Sequence, residues 1–137
     1  MLGVLPNDEG TRTMDAVLGT ALSGLRAAET RTNVAASNIV NQRSDAPMPA
    51  AGGEYRGYAP LRVNQSAQAP GTLAVLSPID PAYVPLPDGE GNMRATPNVD
   101  LTANVVDLGS AEQAYKASAA VIRVQDDMSK DMLDILS

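Results

Sequence analysis

The sequence predicts a mainly α fold: long N- and C-terminal helices forming an antiparallel coiled-coil-like hairpin, with a Pro/Gly-rich irregular insert containing short β-strands. Three observations carry that expectation. Nine of the ten prolines fall between Pro47 and Pro97, so two Pro-free arms flank one turn-rich stretch. Both arms repeat apolar residues at three- and four-residue steps. The composition is 44% apolar, but Ala supplies 21 residues, Leu, Ile and Val together only 29 of 137, and there is no Phe or Trp. Such a chain lacks the large side chains of a thick globular core and suits thin helical seams.

In the N-terminal arm, about residues 14 to 41, Leu18, Leu22, Leu25, Ala28, Thr32, Ala35 and Ile39 trace one stripe of a helix. Thr13 or Asp15 is the expected cap. Asn38-Ile39-Val40-Asn41 followed by a polar run and Pro47 predicts a stop at Asn41, with the Asn in the left-handed conformation of a helix C-cap.

The insert offers two short, partly alternating segments, Glu54–Val63 and Thr72–Leu76, as a small hairpin, and a weaker strand pair about Asp88-Gly89. The C-terminal arm, about Val99 to Leu136, carries Leu101, Val105, Leu108, Ala111, Tyr115, Ser118, Ile122, Gln125, Met128, Met132 and Ile135 as its own thin stripe. Gly109 followed by Ser110-Ala-Glu-Gln113 predicts a kink or a second helix start there. The expected organisation is an extension over 1–13, a helix over 14–45, the insert over 46–97 and a helix over 98–137.

Chemistry is narrowly bounded. With no Cys and no His, thiolate and imidazole catalysis and nearly every zinc, copper or haem site are excluded, and no cofactor is expected. The net charge of −6 disfavours nucleic acid and anionic membranes as partners, and no apolar run approaches a membrane span. Asp88-Gly-Glu-Gly-Asn92 gathers oxygen ligands but lacks the spacing of a calcium loop, so it reads as a turn. Asp126, Asp127, Asp131 and Asp134 read as a wet helical face, with Lys130 four residues from Asp126 and from Asp134. Asn64-Gln-Ser66 matches a glycosylation triplet without a secretory leader and carries little weight. Gly19, Ser23, Gly24, Ala27 and Ala28 form a small-residue surface that implies a close backbone approach. Residues 12–43 carry a net +2 and residues 98–137 a net −4, so the arms are electrostatically complementary.

Ala21-Leu-Ser-Gly-Leu-Arg-Ala-Ala28 followed by Arg31-Thr-Asn-Val-Ala-Ala-Ser-Asn-Ile-Val-Asn41 resembles the N-terminal signature of the bacterial flagellar rod and hook axial proteins. Pro97-Asn-Val-Asp-Leu101 through Ala114-Tyr115 to Asp127-Met128 and Leu133 resembles that family's C-terminal signature. The short insert, Tyr55-Arg56, Asp80-Pro81 and the approach from Asp88 to Asn98 resemble the proximal-rod members most. Gln42-Arg-Ser-Asp45, Gly109 and residues 1 to 13 depart from the pattern, and Met14 stands where the resemblance begins.

The resemblance implies a non-enzymatic structural subunit that packs helically in the periplasmic rod of the flagellar basal body. It implies export without a cleavable signal peptide. The implied partners are copies of itself, other rod proteins, and membrane-ring and export-apparatus proteins, with no small-molecule substrate. The implied packing residues are Leu18, Leu22, Leu25, Asn38, Ile39, Asn41, Leu101, Val105, Leu108, Tyr115, Ile122 and Met132. The competing class is a free-standing helical-hairpin adaptor, which would fold cooperatively as a monomer.

Overall fold

The computed structural model describes residues 7–135. It consists of α1 (Asn7–Asn41), β1 (Ala46–Pro47), β2 (Leu61–Gln68), β3 (Gly71–Pro78), β4 (Tyr83–Pro87), β5 (Met93–Pro97) and α2 (Leu101–Ile135). The expectation of a mainly α, coiled-coil-like hairpin with an irregular insert is overturned. Strands hold about 22% of the described chain in two antiparallel sheets, a three-stranded one ordered β1-β5-β4 and the two-stranded β2-β3 hairpin. The physical reason lies in where the prolines sit. Pro47, Pro78, Pro87 and Pro97 end strands and Pro70 lies in a turn, so they punctuate the insert without preventing its ladders.

The two 35-residue helices run antiparallel, joined by Asn38 to Asn104 and by Arg31 to Asp107. Their seam is only one edge of the expected stripe, which named Ala28, Ala35, Ala111, Ser118 and Gln125 together with the large apolar residues. On α1, Ala21, Ala28 and Ala35 are buried at seven-residue intervals, with Gly24, Arg31 and Asn38 repeating between them. On α2 the matching positions are Asn104, Ala111, Ser118 and Gln125. A coiled coil needs Leu, Ile or Val knobs at such places. Here small and polar side chains occupy them, so the backbones approach closely: a Cβ on Gly24 would stand 2.6 Å from Ser118 Oγ. The large apolar residues flank this seam.

Helix ends also differ from expectation. α1 begins at Asn7, two turns before Met14, so Thr13 and Asp15 lie inside it; Thr13 Oγ1 donates to Gly10 O at 2.8 Å. Of the expected extension, residues 1–6 lie outside the described residues. α1 ends at Asn41, but no non-glycine residue among those described has positive φ, so the left-handed cap is not used. Instead Asn41 Nδ2 donates to Ser37 O at 2.9 Å, and Asn41 Oδ1 accepts from Ser44 Oγ at 3.1 Å. α2 continues unbroken through Gly109, so no second helix start forms there; its cap is Asp100, whose Oδ1 accepts from Ala103 N at 2.9 Å.

β2 and β3 pair from Leu61↔Pro78 to Gln68↔Gly71. The hairpin lies along α1. Six steps of strand from Leu61 to Ala67 span about 20 Å, and fifteen steps of helix from Ser23 to Asn38 span about 22 Å. It is fastened at both ends of that length, at Leu61 and at Thr72. The weakly indicated second strand pair forms as β4 and β5 around Asp88–Asn92, where Gly91 takes φ +88°. Asp88 Oδ1 accepts from Glu90 N and Asn92 N, and these bonds, Asn92 first, hold its carboxyl below the usual range.

Candidate assembly interface

The first part of the site is a polar joint at which the insert leaves the helices. Asn38 is 1% exposed and every hydrogen-bonding position of its amide is used. Nδ2 donates to Leu61 O at 2.7 Å and to Asn104 Oδ1 at 2.9 Å. Oδ1 accepts from the Tyr58 hydroxyl at 2.9 Å and from Leu61 N at 3.3 Å. The Tyr58 hydroxyl also meets the Ser37 hydroxyl at 2.9 Å. One side chain thus ties α1 to α2, to β2 and to the connecting loop. Tyr55 donates from its hydroxyl to Tyr58 O and stacks on Tyr83 with 4.6 Å between ring centroids, which brings the three-stranded sheet to the joint. Burial, then the nearby Asp45 and Tyr83, raises the Tyr55 pKa.

The second part is an apolar face. Taking 100° per residue from the buried alanines, Leu18, Leu22, Leu25 and Ile39 fall on one flank of α1, and Leu101, Val105, Leu108, Tyr115 and Ile122 on the same side of α2. Thr32, Leu108 and Tyr115 line a shallow groove of about 420 Å³ across the two helices with Glu29, Glu112 and Lys116. No strand residue lines it, because the hairpin packs on the opposite flank. Leu18, Leu22, Leu101, Val105 and Tyr115 are exposed, whereas Leu25, Ile39, Leu108 and Ile122 are half-buried. Met132 is exposed seven residues past Gln125 on the seam line, and Asn41 is half-buried at the end of α1.

The structure therefore brings nine of the twelve expected packing residues onto one face, five of them exposed and four half-buried in the single chain. Asn38 stands in the seam and the joint instead. Tyr58, Leu61, Asn104 and the Arg31–Asp107 pair were missed from sequence. Their one available signal was the seven-residue recurrence of Ala21, Ala28 and Ala35, overshadowed by the leucines.

Charge adds little chemistry to this surface. Lys116 and Glu112 pair at 2.6 Å along α2, and the Lys116 hydrogen bond lowers the Glu112 pKa. Lys130 pairs with Asp126 at 2.5 Å, which raises the Lys130 pKa. Such exposed pairs contribute little. Among the described residues no group of three or more acidic side chains is placed to hold a metal ion, and no helix is long and apolar enough to cross a membrane.

Residues 92–135 match the family model for the C-terminal region of the flagellar basal body rod FlgEFG proteins. The match supports the rod and hook family. It spans β5 and α2, and so includes Asn104 of the joint and the α2 half of the apolar face. The matched rod family is a structural component of the flagellum. No curated protein matches the chain.

Proposed function

We propose that this chain is a structural subunit of the flagellar basal-body rod, that it assembles helically with copies of itself and other axial proteins, and that it transmits torque. The observation that carries this reading is the rod-family match along α2, on the same helix as the uncovered face of Leu101, Val105 and Tyr115. A thin seam of alanines buries little area per chain at about 25 cal/mol per Å², so stability gained from neighbours is a natural complement. Within the family we assign the proximal rod protein FlgC, on the short insert and the Tyr55-Arg56 and Asp80-Pro81 stretches.

On this reading α1 and α2 form the inner tube, the insert faces neighbours, the chain reaches the periplasmic rod through the flagellar export apparatus, and the membrane ring lies among its contacts. Of the twelve residues named from sequence, nine lie on the neighbour-facing face and Asn38 in the joint, while Asn41 and Met132 belong to neither. The test is co-purification of the chain with isolated hook-basal bodies. A chain that is absent from them, and that remains a cooperatively folding monomer at every concentration, sinks the proposal in favour of an adaptor.

A further inference from the structure

The β2–β3 hairpin is held to the helices differently at its two ends. At the root, Asn38 makes four hydrogen bonds while 1% exposed, two of them to Leu61, and the preceding Pro60 is fully buried. At the tip, Pro70, Gly71 and Thr72 meet α1 at Gly19, Thr20 and Ser23. Two hydrogen bonds join them there. Thr72 N donates to Ser23 Oγ at 3.1 Å. The Thr20 hydroxyl lies against Pro70 O and also against Ala16 O of its own helix, the latter at 2.8 Å. A hydroxyl has one proton to donate. It bonds the tip only while it releases Ala16 O, the carbonyl that a helical Thr ordinarily bonds four residues back.

The surface under the tip adds little hold. Ala16, Thr20, Ser23, Ala27 and Thr30 follow one another at steps of four and three residues, so they form one stripe of α1 with no charge and nothing larger than Thr. Of these five, Ala27 alone is buried. Contacts of methyl size bury little apolar area, at about 25 cal/mol per Å². Both sides of the tip are open. A lobe of about 770 Å³ lies between Pro70–Thr72 and Ala117, Ser118 and Val121 of α2, and one of about 250 Å³ lies between Gln68 and Leu73 and the α1 residues Arg26 and Thr30. The far half of β2, from Asn64 to Gln68, is exposed.

We infer that the hairpin is a strap, hinged at Asn38 and latched at Gly71, which lifts from α1 as a unit while its own ladder and the helix seam stay closed. Lifting bares the stripe from Ala16 to Thr30, so the latch decides whether that small, uncharged surface is available. Gly71 is its control point. A Cβ there would overlap Ser23 Oγ and stand 3.3 Å from Thr20 Cα, whereas the φ of Gly71 is not positive. Alanine at this position is therefore opposed by α1 and not by its own backbone.

The inference is independent of the rod assignment, and the unmodified chain carries the first reporters. Hydrogen exchange followed by NMR reads the tip at the Thr72 N–H and the root at the Leu61 N–H. Thr72 is expected to be protected at least roughly tenfold less than Leu61, with little dependence on urea, while Ser66 and Leu73 of the ladder stay protected. Because the sequence has no Cys, a single introduced thiol reports baring of the stripe. Ala27 lies under the hairpin and Ala35 in the helix seam, and both are buried. The thiol of Ala27→Cys is expected to react with a disulfide reagent roughly tenfold or more faster than that of Ala35→Cys, and faster again when Gly71→Ala is added, with Leu61 still protected. Equal protection and urea dependence at Thr72 and Leu61, or equal rates at the two thiols, overturn the strap, since the hairpin then leaves only when the chain unfolds. Rapid Thr72 exchange beside a slow Ala27→Cys thiol reduces the event to one frayed bond and overturns it as well. So does a Gly71→Ala change that leaves the Ala27→Cys rate where it was.

Discussion

The Asn38 carboxamide closes a ring of two hydrogen bonds on the backbone of Leu61, Nδ2 donating to its carbonyl at 2.7 Å and Oδ1 accepting from its N–H at 3.3 Å. A helix side chain thereby does what a neighbouring strand would do, and it fixes where the hairpin starts along α1.

Asn38→Ala is expected to be among the most damaging single changes. It strands the Leu61 N–H and C=O and the Asn104 amide oxygen and leaves the Tyr58 hydroxyl to Ser37 alone, at about 1–3 kcal/mol for each such group that water does not reach. Urea denaturation is expected to show a loss of roughly 2–4 kcal/mol, with Asn38→Asp no milder because a buried carboxylate cannot donate. A midpoint unchanged in Asn38→Ala removes the joint from the account of the fold.

Two helical glycines are expected to respond in opposite directions. A Cβ on Gly109 meets nothing within 4 Å, so Gly109→Ala gains about 0.5–1 kcal/mol of helix propensity. Gly24 faces Ser118 across the seam, so Gly24→Val forces the backbones apart and costs about 1–3 kcal/mol. Thermal melts of the two variants check the pair; a stabilised Gly24→Val would show that the helices do not approach there.

Leu22→Asp tests the uncovered face. Leu22 is 43% exposed, so the isolated chain is expected to keep its helical content, while sedimentable assembly falls by roughly tenfold or more because neighbours must bury a carboxylate. Tyr115→Ala acts in the same direction more weakly, and Asp127→Ala leaves assembly unchanged. Ile122→Asp, half-buried, is expected to harm both the chain and the assembly. Wild-type sedimentation by Leu22→Asp would locate the interface elsewhere.

The β4–β5 turn carries a pH dependence whose sign follows from Asp88. Its pKa is lowered in the folded state, so its contribution is complete above the unfolded carboxylate value and disappears as pH falls through the folded one. Acid titration by NMR is expected to move the Glu90 and Asn92 amide protons together with the Asp88 carboxyl, at a pH below that of an ordinary Asp. In Asp88→Ala both amides are expected to stay flat over that range.

Two helices with a proline-rich stretch between them are legible in the sequence because period and proline placement are local. The seam is legible only in part: the stripes include Ala28, Ala35, Ala111 and Gln125, but apolar period cannot tell the members that pair within the chain from those left for neighbours. Leu18, Leu22 and Tyr115 dominate the pattern, yet Ala28, Ala35 and Ala111 make the contact, since only small side chains let two backbones come so close. The sheets were under-read for a related reason: Val63 and Leu76 pair across a turn on outward positions that bind no one locally, and the fastening of Leu61 by Asn38 joins residues far apart in sequence. The cap at Asn41 is local, but two side-chain arrangements compete there, and a bond from Ser44 takes the place of the left-handed turn.

The match in length between the hairpin and the Ser23 to Asn38 portion of α1, fastened at both ends, has a mechanical consequence. A lone helix bends by small, shared changes in its hydrogen bonds. When a strand pair is pinned alongside it, curvature in the plane of the two requires one to lengthen while the other shortens, and neither ladder stretches easily. The pinned stretch is therefore a composite beam, stiff between its fasteners. The portion of α1 before Thr20 lacks this splint and has α2 alone beside it, so a bending load is expected to deform it first.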